Sequence, residues 1–212
     1  DLPAMETTKW FDTNYHYIVP EFHAGQSFQF ASTKPVDEFS EAREQGVATR
    51  PVLVGPVTYL LLGKSDDEAF DPLTLLDSIL LIYAEVLQRL EAAGAEWVQI
   101  DEPALVLDLE PAARDAFARA YESLTAASGL KILLTTYFGD LRENLSTALA
   151  LPVHGLHVDL VRAPDQLDDI LTDIPDGLLL SLGVIDGRNV WKADFHALND
   201  RIATAIDRLG PD

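Results

Sequence analysis

Short apolar runs alternate along the chain with longer stretches in which apolar residues recur every three or four positions. Strands buried on both faces of a parallel sheet give the first pattern, and the helices that cover them give the second. Residues 51–54, 97–100, 131–137, 155–160 and 178–184 read as strands, and the aromatic-rich residues 9–17 as a further strand with its loop. Helices are expected at 35–45, closed by Gly46, and at 111–125, 141–149, 164–171 and 193–209. The longest helix opens at Asp71-Pro72, where Asp caps and Pro takes the first helical position. Leu75, Leu76, Ile79, Leu80, Tyr83, Val86, Leu87 and Leu90 give it a wide apolar stripe, and Gly94 ends it.

About six strands joined by helices imply a parallel sheet with right-handed crossovers. An open doubly wound sheet fits, and so does part of a (βα)8 barrel. A complete barrel takes about 250 residues and eight strands, so 212 residues fall short by about two units. No linker or low-complexity segment divides the chain, and residues 1–212 are expected to form one partial barrel domain.

Hydrophobic residues make up 48% of the chain, enough for a substantial core. The net charge of −20, with 35 acidic against 15 basic residues, repels phosphate backbones and argues against nucleic-acid binding. The excess of acids fits a solvated acidic surface, and so many acids beside so few lysines also suggest adaptation to high salt. Without cysteine there is no disulfide framework, thiolate metal site or cysteine nucleophile. The longest apolar run, 52–62, is broken by Gly55 and Pro56 and is too short to span a bilayer. The opening residues lack the pattern of a signal peptide, so a soluble, cytoplasmic protein is expected. The first residue is Asp rather than Met, which suggests a start further upstream.

Polar residues collect just beyond the carboxyl ends of the expected strands: Gly55-Pro56-Val57-Thr58, Asp101-Glu102-Pro103, Thr135-Thr136-Tyr137, Asp159 and Asp186-Gly187-Arg188-Asn189. Ligand sites in α/β folds gather at that edge. Asp101 and Glu102 are adjacent, so if the strand continues only one can face the barrel axis. That residue suits a substrate ammonium or a general base; the alternative is a carboxylate that caps loop amides or pairs with an arginine. His157 and Asp159 share a strand face, but two ligands do not make a metal site, and His157 reads as a hydrogen-bonded interior residue. Lys9 and Trp10, among Asn14, Tyr15, His16 and Tyr17, suit an anion contact beside an aromatic platform, or else a salt bridge. No P-loop, GxGxxG or G-x-S-x-G motif is present.

The stretches METTKWFDTNYHYIVPEF, PVLVGPVTYLLLGK, AGAEWVQIDEPALVLDL, KILLTTYFGD, LPVHGLHVDLVRAP and LGVIDGRNVW, taken in order, resemble the amino-terminal domain of cobalamin-independent methionine synthases. The resemblance runs from about Ala4 to Asp194. It implies an enzyme of two (βα)8 barrels that moves a methyl group from 5-methyltetrahydropteroyl-triglutamate to homocysteine, without cobalamin. In that family zinc, held by Cys and His in the carboxy-terminal barrel, activates the homocysteine thiol. The amino-terminal barrel resembles a duplicate that lost the zinc ligands and helps to hold the folate's polyglutamate tail. The match at TKWF places Lys9 on the tail-contacting lysine, with Trp10, Asp101 and Glu102 as weaker substrate-binding candidates. The resemblance assigns no catalytic residue and no metal ligand to this chain. The family's first two strands and its zinc barrel have no counterpart here, which leaves strands three to eight and a fragment expected to be inactive alone. Two other readings fit: a non-catalytic module that pairs with a separate zinc barrel, and a stand-alone enzyme using Asp101 or Asp159 as a base.

Overall fold

A computed structural model of the chain describes residues 4–210. Among these residues five strands form one parallel sheet: β3 (Val52–Val54), β4 (Trp97–Asp101), β5 (Lys131–Thr135), β6 (Gly155–Asp159) and β7 (Leu179–Gly183). Their spatial order is their chain order. A doubly wound sheet reverses its strand order at a switch point; this one runs in a single direction, as a barrel wall does. The α/β class and incomplete barrel hold, with one correction. The first of the six expected strands is not in the sheet. Residues 9–17 belong to a separate antiparallel hairpin, β1 (Thr7–Lys9) and β2 (His16–Ile18), which pairs Lys9 with His16. Composition marked that stretch as extended, but its partner is its own continuation.

The covering helices are α1 (Lys34–Glu44), α2 (Pro56–Leu61), α3 (Leu76–Ala92), α4 (Pro111–Ala127), α5 (Leu145–Ala150), α6 (Gln166–Asp173) and α7 (Phe195–Leu209). The long helix starts as expected, with the Asp71 carboxylate accepting from the Leu73 amide at 2.9 Å. Its first turn, Pro72–Leu75, is a 3-10 helix that passes into α3. Gly94 follows α3 at φ +91°, a left-handed conformation that stops the helix and suits glycine. The strand stops at Gly55-Pro56 as expected, and Pro56, at the first helical position, begins α2, a short helix not expected from the apolar rhythm.

Strand alternation sorts the side chains into two layers. Val98, Ile100, Ile132, Leu134, Leu156 and Val158 are fully buried against the helices. On the other face, residues paired across the parallel strands stand in rows. One row runs Val52, Gln99, Leu133, Gly155, Leu179, and the next runs Val54, Asp101, Thr135, His157, Ser181. This is the side a closed barrel would fill. Here it is open: Val52 is 54% exposed and Leu179 47%. A cavity of about 590 Å³ lies against it, with Arg50, Trp97, Leu133 and Leu179 in its wall.

Candidate functional site

The crevice lies at the carboxyl ends of β4 to β7, with the β1–β2 hairpin across it. Asp101 ends β4 on the open face, in the row with Thr135, His157 and Ser181. It accepts from Gln99 Nε2 at 2.7 Å and from the Tyr137 hydroxyl at 3.3 Å. Burial pushes its pKa above the ordinary carboxylate value, and the Gln99 and Tyr137 bonds partly oppose that. Trp10 lies close enough to Tyr137 to draw its hydroxyl's pKa down against the effect of burial, which brings the hairpin beside the strand end. Trp10 also packs edge-on against Phe11 and Tyr17, at 5.2 and 5.4 Å.

Glu102 points the other way and is fully buried. It accepts from the Val57 amide at 3.3 Å and the Thr58 amide at 2.7 Å, the first free donors of α2. The Tyr121 hydroxyl of α4 is 3.4 Å away. Gly55, at the cap position of α2, has no side chain to cap the helix with. A Cβ there would lie 2.0 Å from Glu102 Cδ, so glycine makes room for a carboxylate from the next strand. Burial raises the Glu102 pKa to about 7 against the pull of those donors. Of the two adjacent carboxylates, Asp101 faces the crevice and Glu102 caps a helix.

Lys9 lies in the hairpin, exposed, and among the described residues its ammonium forms no ion pair. The salt bridge considered from the sequence is absent at this lysine. His157 bonds through Nδ1 to Ser181 Oγ at 2.8 Å, and burial lowers its pKa, which favours the neutral ring. Asp159 is engaged by backbone: Oδ2 accepts from the Phe138 amide at 2.8 Å, and Oδ1 from Val161 and Arg162 at 3.0 and 2.9 Å. Thr135 Oγ1, between Asp101 and His157 in the row, is buried without a partner among the described residues. No group of three metal-ligating side chains occurs among them either, and the chain has no cysteine. These residues do not fit a zinc centre.

Three residues outside the sequence candidates complete the crevice. Asp12, at the hairpin tip, meets Arg162 at 2.5 Å and Arg188 at 3.3 Å. Phe138 packs against Phe11 at 5.6 Å. Arg162 lies just beyond the carboxyl end of β6, the edge at which the other polar residues collect. Asp12 and Phe138 carried no sequence signal, because only the fold brings the hairpin to the sheet edge. As a whole the crevice offers the cations Lys9, Arg162 and Arg188, an aromatic wall, and carboxylates each bonded within the protein: Asp101 to Gln99 and Tyr137, Asp159 to backbone amides, and Asp12 to the two arginines.

A family model described as "Cobalamin-independent synthase, N-terminal domain" matches residues 1–209. A 5-methyltetrahydropteroyltriglutamate–homocysteine methyltransferase of Nitrobacter winogradskyi is 59% identical over 99% of this chain, which spans 27% of that protein. The same-named protein of Caulobacter vibrioides is 58% identical over 100% of this chain, again 27% of its length. The chain thus spans about a quarter of these relatives. A solved B12-independent methionine synthase from Shewanella sp. W3-18-1, in complex with selenomethionine, superposes with a TM-score of 0.75 at 17% identity, covering 93% of this chain and 62% of that one; this likeness speaks for the fold alone. No helix among the described residues is long and apolar enough to cross a membrane. The match over nearly all of its length shows that this chain belongs to the cobalamin-independent methionine synthases, in the family of their N-terminal domain.

Proposed function

We propose that this chain is the N-terminal part of an enzyme that transfers a methyl group from 5-methyltetrahydropteroyltriglutamate to homocysteine, forming methionine. Its own part is to help hold the folate's acidic glutamate tail, and it does not catalyse the transfer alone. The observation that carries the reading is identity of 58–59% along the whole chain to methyltransferases of that name. Lys9 supports the tail role: it is exposed, has no ion pair among the described residues, and is adjacent to Trp10, which lies near Tyr137. An ammonium without a carboxylate partner in an acidic chain suits ligand carboxylates. A zinc site, if the whole enzyme uses one, has its ligands beyond this chain, in a carboxy-terminal barrel that would be this domain's partner.

The test is Lys9→Ala in the full-length protein. It should weaken the triglutamate folate about tenfold while leaving the monoglutamate nearly unchanged. Equal effects on both would remove Lys9 from the tail site. Methionine formation by the purified chain would refute the claim that it is inactive alone.

A further inference from the structure

Arg162 and Arg188 extend from successive loops, after β6 and after β7, and converge on one carboxylate. Arg162 Nη1 is 2.5 Å from Asp12 Oδ2, and Arg188 Nη1 is 3.3 Å from Asp12 Oδ1. A different guanidinium therefore takes each oxygen. Planar guanidiniums suit carboxylates through such directed pairs, which a point charge cannot match. Both also lie over the Phe138 ring, at 5.9 and 5.6 Å from its centre. Behind them is a cleft of about 320 Å³, lined by Phe138, His157, Asp159, Arg162 and Arg188 among others. The three charged side chains are between a third and about half exposed, so a solute reaches them directly.

The contact that closes the hairpin over this cleft is strained. Phe11 and Phe138 face each other there, at φ +51° and φ +76°. Residues bearing a Cβ rarely adopt that region, and such strain gathers at ligand clamps and switches. Exchange of one carboxylate for another leaves the charge at the two arginines unchanged. Asp159 and Asp186 line the cleft, but both are committed locally: Asp159 to three backbone amides, and Asp186 to the Arg188 amide and Asn189 Nδ2. Asp12 belongs to the hairpin rather than to the cleft wall. A ligand carboxylate in its place would restore the same charge around the two arginines.

We propose that Arg162 and Arg188 form a carboxylate subsite in which Asp12 is the placeholder, and that a carboxylate of an oligo-γ-glutamyl ligand displaces it. The proposal rests on the tail-holding reading above and adds a second contact point to it. Lys9, three residues from Asp12 in the same hairpin, is the other. Displacing Asp12 frees the strained hairpin tip, so the ligand competes with an internal mimic of itself.

Calorimetric titration of tri-γ-glutamate into the full-length protein tests this, at one fixed ionic strength. Asp12→Asn removes the competitor and should tighten binding about fivefold, whereas Arg188→Gln should weaken it about tenfold. A gain in affinity cannot come from a variant that fails to fold, so Asp12→Asn decides the matter. If it weakens binding as Arg188→Gln does, the cluster merely anchors the hairpin and the subsite is refuted. If Lys9→Ala weakens binding while Asp12→Asn and Arg188→Gln leave it unchanged, the tail reading stands and the subsite fails. If none of the three changes binding, both fail.

Discussion

At Glu102 burial and a helix N-terminus compete for one proton. Burial wins, and the folded pKa rises to about 7 from an ordinary 4.5. A raised carboxyl favours the folded state while it is protonated in both states. That contribution is complete below about pH 4.5 and is lost as pH rises to about 7, a change of about 3 kcal/mol at most. Glu102→Gln should flatten this part of the stability curve, which urea titrations between those two pH values will read. An unchanged slope would assign the titration to another group. Gly55→Ala tests the same contact sterically. Its Cβ meets a carboxylate locked by two amides, and a loss of about 3 kcal/mol is expected. The adjacency of Asp101 and Glu102, and their divergence along a strand, were legible in the sequence. That Glu102 is the one facing the helices was not, because it depends on α2 arriving beside β4.

Among the elements, the β1–β2 hairpin depends most on its neighbours. Two strands of three residues are marginal alone. The hairpin is tied down by Tyr17 to the Leu62 carbonyl at 3.0 Å, by Lys64 to Glu6 at 2.8 Å, and by the contacts of its tip. Its amides should therefore exchange hydrogen well before those of β4 to β6, whose side chains are buried against the helices. Exchange followed by mass spectrometry checks this, and equal protection would make the hairpin part of the central folding unit. The α3 start is the opposite case. Asp71 and Pro72 announced it locally, and Asp71→Ala should cost about 1 kcal/mol in a thermal melt by removing the bond to the Leu73 amide.

For the whole molecule, the open side of the sheet and the surface charge dominate. β3 and β7 each have one unpaired edge among the described residues, and Val52, Val54 and Leu179 are exposed beside them. Such edges recruit other chains. The isolated chain should self-associate as its concentration rises, and Val54→Lys should reduce this in sedimentation velocity runs. A net charge of −20 opposes compaction through self-repulsion. Raising sodium chloride from about 0.05 to about 0.5 M shortens the screening length severalfold and should raise the melting temperature. A melting temperature that does not rise would remove the basis for adaptation to salt.

The apolar rhythm determined the α/β class, the position of nearly every covering helix and the edge where ligand-facing residues collect, because strand and helix periods are local properties of the backbone. The family stretches determined the kinship for the same reason: they are contiguous in sequence. The barrel-like order of the strands depended on how neighbours pair. The antiparallel hairpin closed on itself because its two halves bond to each other rather than to the sheet. The meeting of Asp12 with Arg162 and Arg188 joins residues about 150 to 176 positions apart. No local pattern encodes such a contact; it exists because the sheet, covered by its helices, brings the last loops under the first hairpin.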